Sequence, residues 1–204
     1  VSHEKPYIAA LASLSKTGVW EHHHLKRLRS PLYAQIELTF ACNLGCDHCY
    51  NEPRFSTQGG TTTLNRVKRE KANPERYVEI AKELVKHDVF AVTLTGGEVF
   101  SVRDRLFPTI KTLADAGLEV SLNSNLTLVT EDDAKKLSDL GVSGIMTSIL
   151  SHDYVTHDNI TKRKGSHEQR YEVHNSCSNK EFILLPTWLF HRKIKIMYMK
   201  QENL

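Results

Sequence analysis

The stretch "YAQIELTFACNLGCDHCY" (residues 33–50) joins two signals that are rarely adjacent. Its first half alternates, with Ala34, Ile36, Leu38 and Phe40 falling on one face, and the two-residue period predicts a strand. Its second half holds Cys42, Cys46 and Cys49, three of the chain's four cysteines, at the spacing C-x3-C-x2-C. The cysteines follow the strand at once, so they are expected on the loop at its C-terminal end.

Three more strands follow, each separated from the last by a helical pattern. "NPERYVEIAKELVKH" opens with Asn73 as N-cap and Pro74 at the first helical position, and Tyr77, Ile80, Ala81, Leu84 and Val85 mark one helical stripe. "VFAVTLT" (89–95) is a short, near-continuous apolar run, the pattern of a strand covered on both faces. A second helix is marked by Leu106, Ile110, Leu113 and Ala114 and stopped by Gly117. "LEVSLNS" (118–124) predicts the third strand. Thr130 and Asp133 form the capping-box pattern of a third helix that ends before Gly141, and "GIMTSIL" (144–150) predicts the fourth strand. Alternation of this kind predicts βαβ units and a parallel sheet, open or closed into a barrel, whose site lies at the C-terminal ends of the strands. The unusual residues fall there. The cysteines follow strand one, Gly96-Gly97-Glu98 follow strand two, Asn123-Ser124-Asn125 follow strand three, and Ser148 ends strand four.

Composition sets limits around this core. The chain has 204 residues, 40% hydrophobic and 25% charged, as for an ordinary globular domain with room for an appendage. No run of about 18 apolar residues occurs, which argues against a membrane-spanning helix. A net charge of +3 is too mild to argue for nucleic acid. No basic-then-apolar signal peptide opens the chain, so the expected address is the cytoplasm, where clustered cysteines hold metal more often than disulfides. Val1 stands where Met would open a chain, which reads as processing or an excerpt. Residues 1–30 form a mixed leader in which His22, His23 and His24 read as a solvated stretch. Residues 51–72 read as a solvated basic loop, with a mobile lid as the alternative.

Thiolates are soft ligands that select zinc, copper(I) or iron–sulfur clusters. A structural zinc site is closed by four protein ligands. A second cysteine pair is missing here, although His48 or a distant histidine would complete a zinc site. A four-iron cluster held by three cysteines keeps one iron open, as a catalytic site needs. The cysteine spacing alone leaves both readings standing.

The chain resembles the radical S-adenosylmethionine (radical SAM) enzymes over about residues 31–168. "CNLGCDHCYN" matches their three-cysteine motif, with His48 before the last cysteine and Tyr50 after it, and "TGGE" matches at Gly96, Gly97 and Glu98. "NSNLT" matches at Ser124 and Asn125, with Leu126 where glycine is usual. "SILSHDYVTHDNIT…GS" is similar to the branch that matures peptides and proteins, with Ser148, His157, Asp158, Gly165 and Ser166 in register. The resemblance implies an α/β fold, a partial (β/α)6 TIM-like barrel. It implies a 4Fe–4S cluster on Cys42, Cys46 and Cys49, with S-adenosylmethionine chelated to the open iron. Gly96 and Gly97 would let backbone approach the methionine moiety. Glu98 would accept from its ammonium group, and Asn125 and Ser148 would contact carboxylate or ribose. One electron from the reduced cluster would cleave the sulfonium, and the resulting 5′-deoxyadenosyl radical would take hydrogen from a peptide or small protein. The implied partners are that substrate and an electron donor such as flavodoxin or ferredoxin, with no nucleic acid and no membrane. No side chain beyond the cluster ligands is assigned a catalytic role.

The last 36 residues fit this pattern least. The resemblance would have a cysteine-rich C-terminal extension for auxiliary clusters, yet only Cys177 lies there, read as an inert buried thiol. After "GSHEQ" a helix is due, but residues 166–181 offer only Tyr171, Val173 and Cys177 as apolar positions, so no amphipathic helix is predicted. A six-unit barrel needs about 190 residues, and only four units are visible by residue 168. Expectation therefore divides the chain into a leader (1–30), the partial barrel (31–168) and an off-pattern tail (169–204). Such a tail suits a truncated form or a shifted reading frame, and it would leave the edge after strand four exposed. Short irregular strands from the tail are the alternative cover. The functional alternatives are a metal-binding or peptide-binding domain without turnover, or an inactive fragment.

Overall fold

A computed structural model describes residues 30–49, 73–177 and 183–187, with 174–177 and 183–187 given by backbone alone. The leader before Ser30, with its three histidines, Tyr50 and the 51–72 insertion lie outside the described residues. Five parallel strands form one sheet in sequence order: β1 (Tyr33–Glu37), β2 (Ala91–Thr95), β3 (Glu119–Asn123), β4 (Gly144–Ser148) and β5 (Ile183–Thr187). Each crossover carries helix: α1 (Pro74–Lys86), α2 (Arg103–Asp115), α3 (Glu131–Asp139), then α4 (Tyr154–Thr161) and α5 (Ser166–Cys177) together before β5. Among the described residues no helix is long and apolar enough to cross a membrane.

In-register pairing turns the sequence alternation into two chemically distinct faces. Ile36 pairs with Leu94, Leu94 with Leu122 and Leu122 with Ile145, a row of buried apolar side chains. That row joins one core cluster with Ala81 of α1, Leu106, Ile110 and Leu113 of α2, and Leu137 of α3. Side chains alternate along a strand, so the neighbouring rows belong to the other face, and they are polar. Thr93 and Ser121 hydroxyls meet at 2.6 Å, and Asn123 Nδ2 donates to Thr95 Oγ1 at 3.4 Å. The apolar run of β2 is thus covered on both faces as expected, with its threonines on the polar side.

The helix ends obey local chemistry. Asn73 Oδ1 caps α1 through Glu75 N, and Thr130 and Asp133 form the predicted capping box of α3. Gly117 and Gly141 sit at φ +82° and +71°, the left-handed conformation that glycine takes at low cost after a helix.

Three expectations are corrected. Phe40 does not continue the buried face of β1; the strand ends at Glu37 and Phe40 is half exposed. A helix does follow Gly165, because α5 is docked by polar contacts rather than an apolar stripe. Asp158 accepts from the backbone N–H groups of Gly165 and His167 and from Ser166 Oγ, while buried Arg170 reaches the strand ends. The edge of β4 is not bare either, since β5 pairs with it from Gly144↔Ile183 to Ser148↔Thr187.

Candidate functional site

Cys42, Cys46 and Cys49 line one cavity of about 320 Å³ at the C-terminal ends of the strands. Thr95 at the end of β2 with Gly96 and Gly97 after it, Asn123 at the end of β3 with Ser124 and Asn125 after it, and Met146 and Ser148 of β4 complete much of its wall. The rim expected from sequence is therefore assembled, except that Glu98 lies behind it. A larger hollow of about 980 Å³, walled by Tyr154, Lys162, Lys164 and Tyr171 among others, lies between α4 and α5 and contains none of the cysteines. Volume is a poor guide here, and chemistry singles out the smaller cavity.

The cysteine loop is pinned from three sides. Gly45 N donates to Thr161 O and Asp47 N to Ile160 O, so the last carbonyls of α4 hold its middle. Lys162 Nζ meets Asp47 Oδ2 at 2.7 Å on the surface. From β3, Asn125 Nδ2 donates to Asn43 Oδ1 at 2.9 Å and approaches Cys42 Sγ at 3.6 Å. Leu44 N adds a donor to the same sulfur at 3.4 Å. Asn125 thus serves the cysteine loop directly, a task the sequence does not reveal.

The two glycines are needed for a measurable reason. A Cβ on Gly96 would lie 2.3 Å from Thr39 O, and one on Gly97 2.1 Å from Ala41 O. Their absence lets the two loops bond, Gly97 N to Thr39 O at 2.7 Å and Glu98 N to Ala41 O at 2.8 Å. Glycine permits close backbone approach here, and the backbone approached in the structure is the cysteine loop's own.

Glu98 is fully buried. Its Oε1 accepts from Phe100 N at 3.1 Å and Ser124 Oγ at 2.8 Å, and its Oε2 accepts from Asn125 N at 2.8 Å. Burial pushes its carboxyl above the usual range, against those three donors and Arg170. The carboxylate therefore shapes the wall by holding Ser124 and Asn125. Leu126, standing where glycine is usual, adopts φ +63° and is fully buried. The glycine-like backbone of that turn is kept, and the leucine side chain joins the core.

Sequence reasoning missed Arg170. It is 3% exposed and lines the cavity from α5. Its Nε donates to Asn125 O at 2.9 Å, and its Nη1 donates to Ser148 O and to His157 Nε2, the latter at 2.9 Å. His157 is itself fully buried, and burial followed by Arg170 and His167 pushes its pKa down to about 4, against the pull of Asp158. The only sequence signal for Arg170 is a long cation in a helix with few apolar positions.

The donor set fits an iron–sulfur cluster. None of the three cysteines is in a disulfide, and among the described residues no carboxylate lines the cavity. His48 lines it too, but among the described residues no three His, Cys, Asp or Glu side chains gather closely enough to share a single metal ion.

Residues 36–203 match the radical SAM superfamily. The chain belongs to that superfamily. Its radical SAM match runs past residue 168 and takes in α5 and β5. Among curated relatives it is 32% identical over 140 residues to the AdoMet-dependent heme synthase of Methanosarcina barkeri, covering 69% of this chain and 37% of that protein. The sporulation killing factor maturation protein SkfB of Bacillus subtilis is 28% identical over 140 residues, covering 68% of this chain and 31% of that one. This radical SAM chain spans about a third of the length of those relatives. Its fold is similar to that of Streptococcus suis SuiB bound to S-adenosylmethionine, with a TM-score of 0.62 at 13% identity over 91% of this chain and 38% of that one.

Proposed function

We propose that this chain is the cofactor-binding part of a radical SAM enzyme that takes hydrogen from a peptide or small protein. Cys42, Cys46 and Cys49 would hold a 4Fe–4S cluster, with S-adenosylmethionine on the open iron. The observation that carries the reading is the single cavity lined by all three thiols and by the backbone of Gly96 and Gly97. When bound, the cluster and S-adenosylmethionine supply the electron and the carbon radical. The chain's own residues have a more modest task. Asn125 and Leu44 N–H groups donate to Cys42 Sγ and orient that sulfur, Gly96 and Gly97 close the loop contact, and Glu98 fixes the β3 turn. Ser148 and Asn123 offer polar groups to a ligand in the cavity.

A peptide substrate is supported by relatives such as SkfB and the PqqA peptide cyclase of Rhizobium meliloti. The heme synthase relative supports a second reading, a heme-precursor substrate. Electrons would come from a flavodoxin-like or ferredoxin-like donor, and the setting would be the cytoplasm. The test is anaerobic reconstitution followed by iron and sulfide analysis. About four of each per chain are expected, lost on changing Cys42, Cys46 or Cys49 to Ala and kept in Cys177→Ala. Wild-type protein that binds zinc and no iron would overturn the proposal.

A further inference from the structure

Arg170 is the one permanently charged side chain on the described wall of the thiol cavity. Its described hydrogen-bond partners are the carbonyls of Asn125 and Ser148 and a ring nitrogen of His157. None of these carries a full charge, so they aim the guanidinium without neutralising it. Removing such a group from water is costly unless opposite charge lies near. Burial works against its charged form and lowers its pKa, and the groups that oppose this and favour the charge are Cys46, Glu98, Cys42 and Asp158. Two of those four are the proposed cluster ligands. The side chain is held in place by the Asn125 carbonyl after β3, the Ser148 carbonyl at the end of β4 and buried His157.

We propose that Arg170 is the counter-charge of the thiolate set, and that it raises the potential at which a cluster held by Cys42, Cys46 and Cys49 accepts an electron. The inference rests on the cluster site proposed above. Three thiolates bring three negative charges to one cavity, and each added electron makes that region more negative. A fixed cation in a low-dielectric wall stabilises the reduced form more than the oxidised one. Net charge and hydrogen bonds to sulfur are among the quantities that set cluster potentials. The Asn125 and Leu44 donors on Cys42 Sγ act in the same direction, so Arg170 completes a one-sided electrostatic environment.

A purely bracing role for Arg170 predicts a different result, and two variants separate the cases. Arg170→Lys keeps the charge and loses the planar fork, whereas Arg170→Gln keeps a donor and loses the charge. Full chains would be reconstituted anaerobically and the cluster titrated by electron paramagnetic resonance against applied potential. Arg170→Gln is expected to shift the midpoint to a more negative value, with Arg170→Lys close to wild type. Loss of the cluster in Arg170→Gln alone would also support the charge role. The proposal falls if Arg170→Gln titrates like wild type, or if the two variants shift, or lose the cluster, to the same extent. A wild-type chain that forms no cluster overturns the site reading and this inference together. A wild-type cluster whose potential ignores Arg170 overturns the inference alone.

Discussion

Glu98 and Arg170 mark the limits of reading single residues from sequence. The order of Cys42, Gly97, Asn125 and Ser148 along four strands is enough to place them on one wall, because strand ends of a parallel sheet share a rim. Whether a carboxylate faces into that wall or away from it depends on side-chain packing that no spacing encodes, and Glu98 faces the N–H groups of Phe100 and Asn125. His157 shows the same limit and gives a sharp prediction. Arg170 donates to its Nε2, so the neutral ring carries its one proton on Nδ1, 3.3 Å from Leu150 N, and a second proton on Nε2 would face the guanidinium. With a pKa of about 4 in the fold against 6.5 in the unfolded chain, His157 binds fewer protons folded than unfolded in that interval. Its contribution to stability is complete above pH 6.5 and is lost as pH falls toward 4. By pH 5 the loss amounts to about 2 kcal/mol. Urea denaturation of the cluster-free chain at pH 7 and pH 5 should show this loss in wild type and its absence in His157→Gln. Equal pH dependence in the two proteins would mean that His157 takes up its proton without cost.

At the scale of elements, helices α1, α2 and α3 are legible because each shows apolar residues at helical spacing and a recognisable start or stop. Helix α5 is not, since its first nine residues offer few apolar side chains and its docking depends on Asp158 and on Arg170, whose partners Asn125 and Ser148 are distant in sequence. The junction of α2 with α3 was likewise invisible. Arg103, the first residue of α2, gives Asp133 a two-point contact, Nε to Oδ1 at 2.9 Å and Nη2 to Oδ2 at 2.7 Å, and Nη2 also donates to Leu128 O. A cation opposes the dipole at a helix start, whereas Asp133 favours the start of α3. Burial would raise the Asp133 carboxyl, yet the Arg103 and Thr130 contacts outweigh it and hold the carboxyl below its ordinary range. The Arg103 side chain is 40% exposed, so solvent screens the pair. A coupling of about 1–2 kcal/mol is therefore expected. Urea denaturation of wild type, Arg103→Ala, Asp133→Ala and the double variant measures it. Additive losses would show that the two side chains touch without stabilising the junction, leaving Asp133 as a cap alone.

At the largest scale, the sequence shows four strand–helix units, and the described residues form five strands in unbroken order. The reason lies in "ILLPT" (183–187), where Pro186 reads as a break. Proline lacks an N–H and is tolerated in strands chiefly at an edge. Among the described residues β5 is that edge, with β4 on one side, and Pro186 stands opposite Thr147 in the register. The missed strand matters for the site because β4 carries Met146 and Ser148 into the cavity, and an unpaired β4 would be free to bend there or to pair with another chain. If β5 completes the sheet as described, its amides should be shielded with those of β4. Hydrogen exchange read by mass spectrometry tests this directly. Peptides spanning 183–187 should exchange at least a hundredfold more slowly than an unstructured chain, equivalent to local opening costs of about 3 kcal/mol or more, and within tenfold of peptides spanning 144–148. Exchange at the unstructured rate, with β4 still protected, would return β4 to the position of an exposed edge and would remove the support that β5 gives the cavity wall.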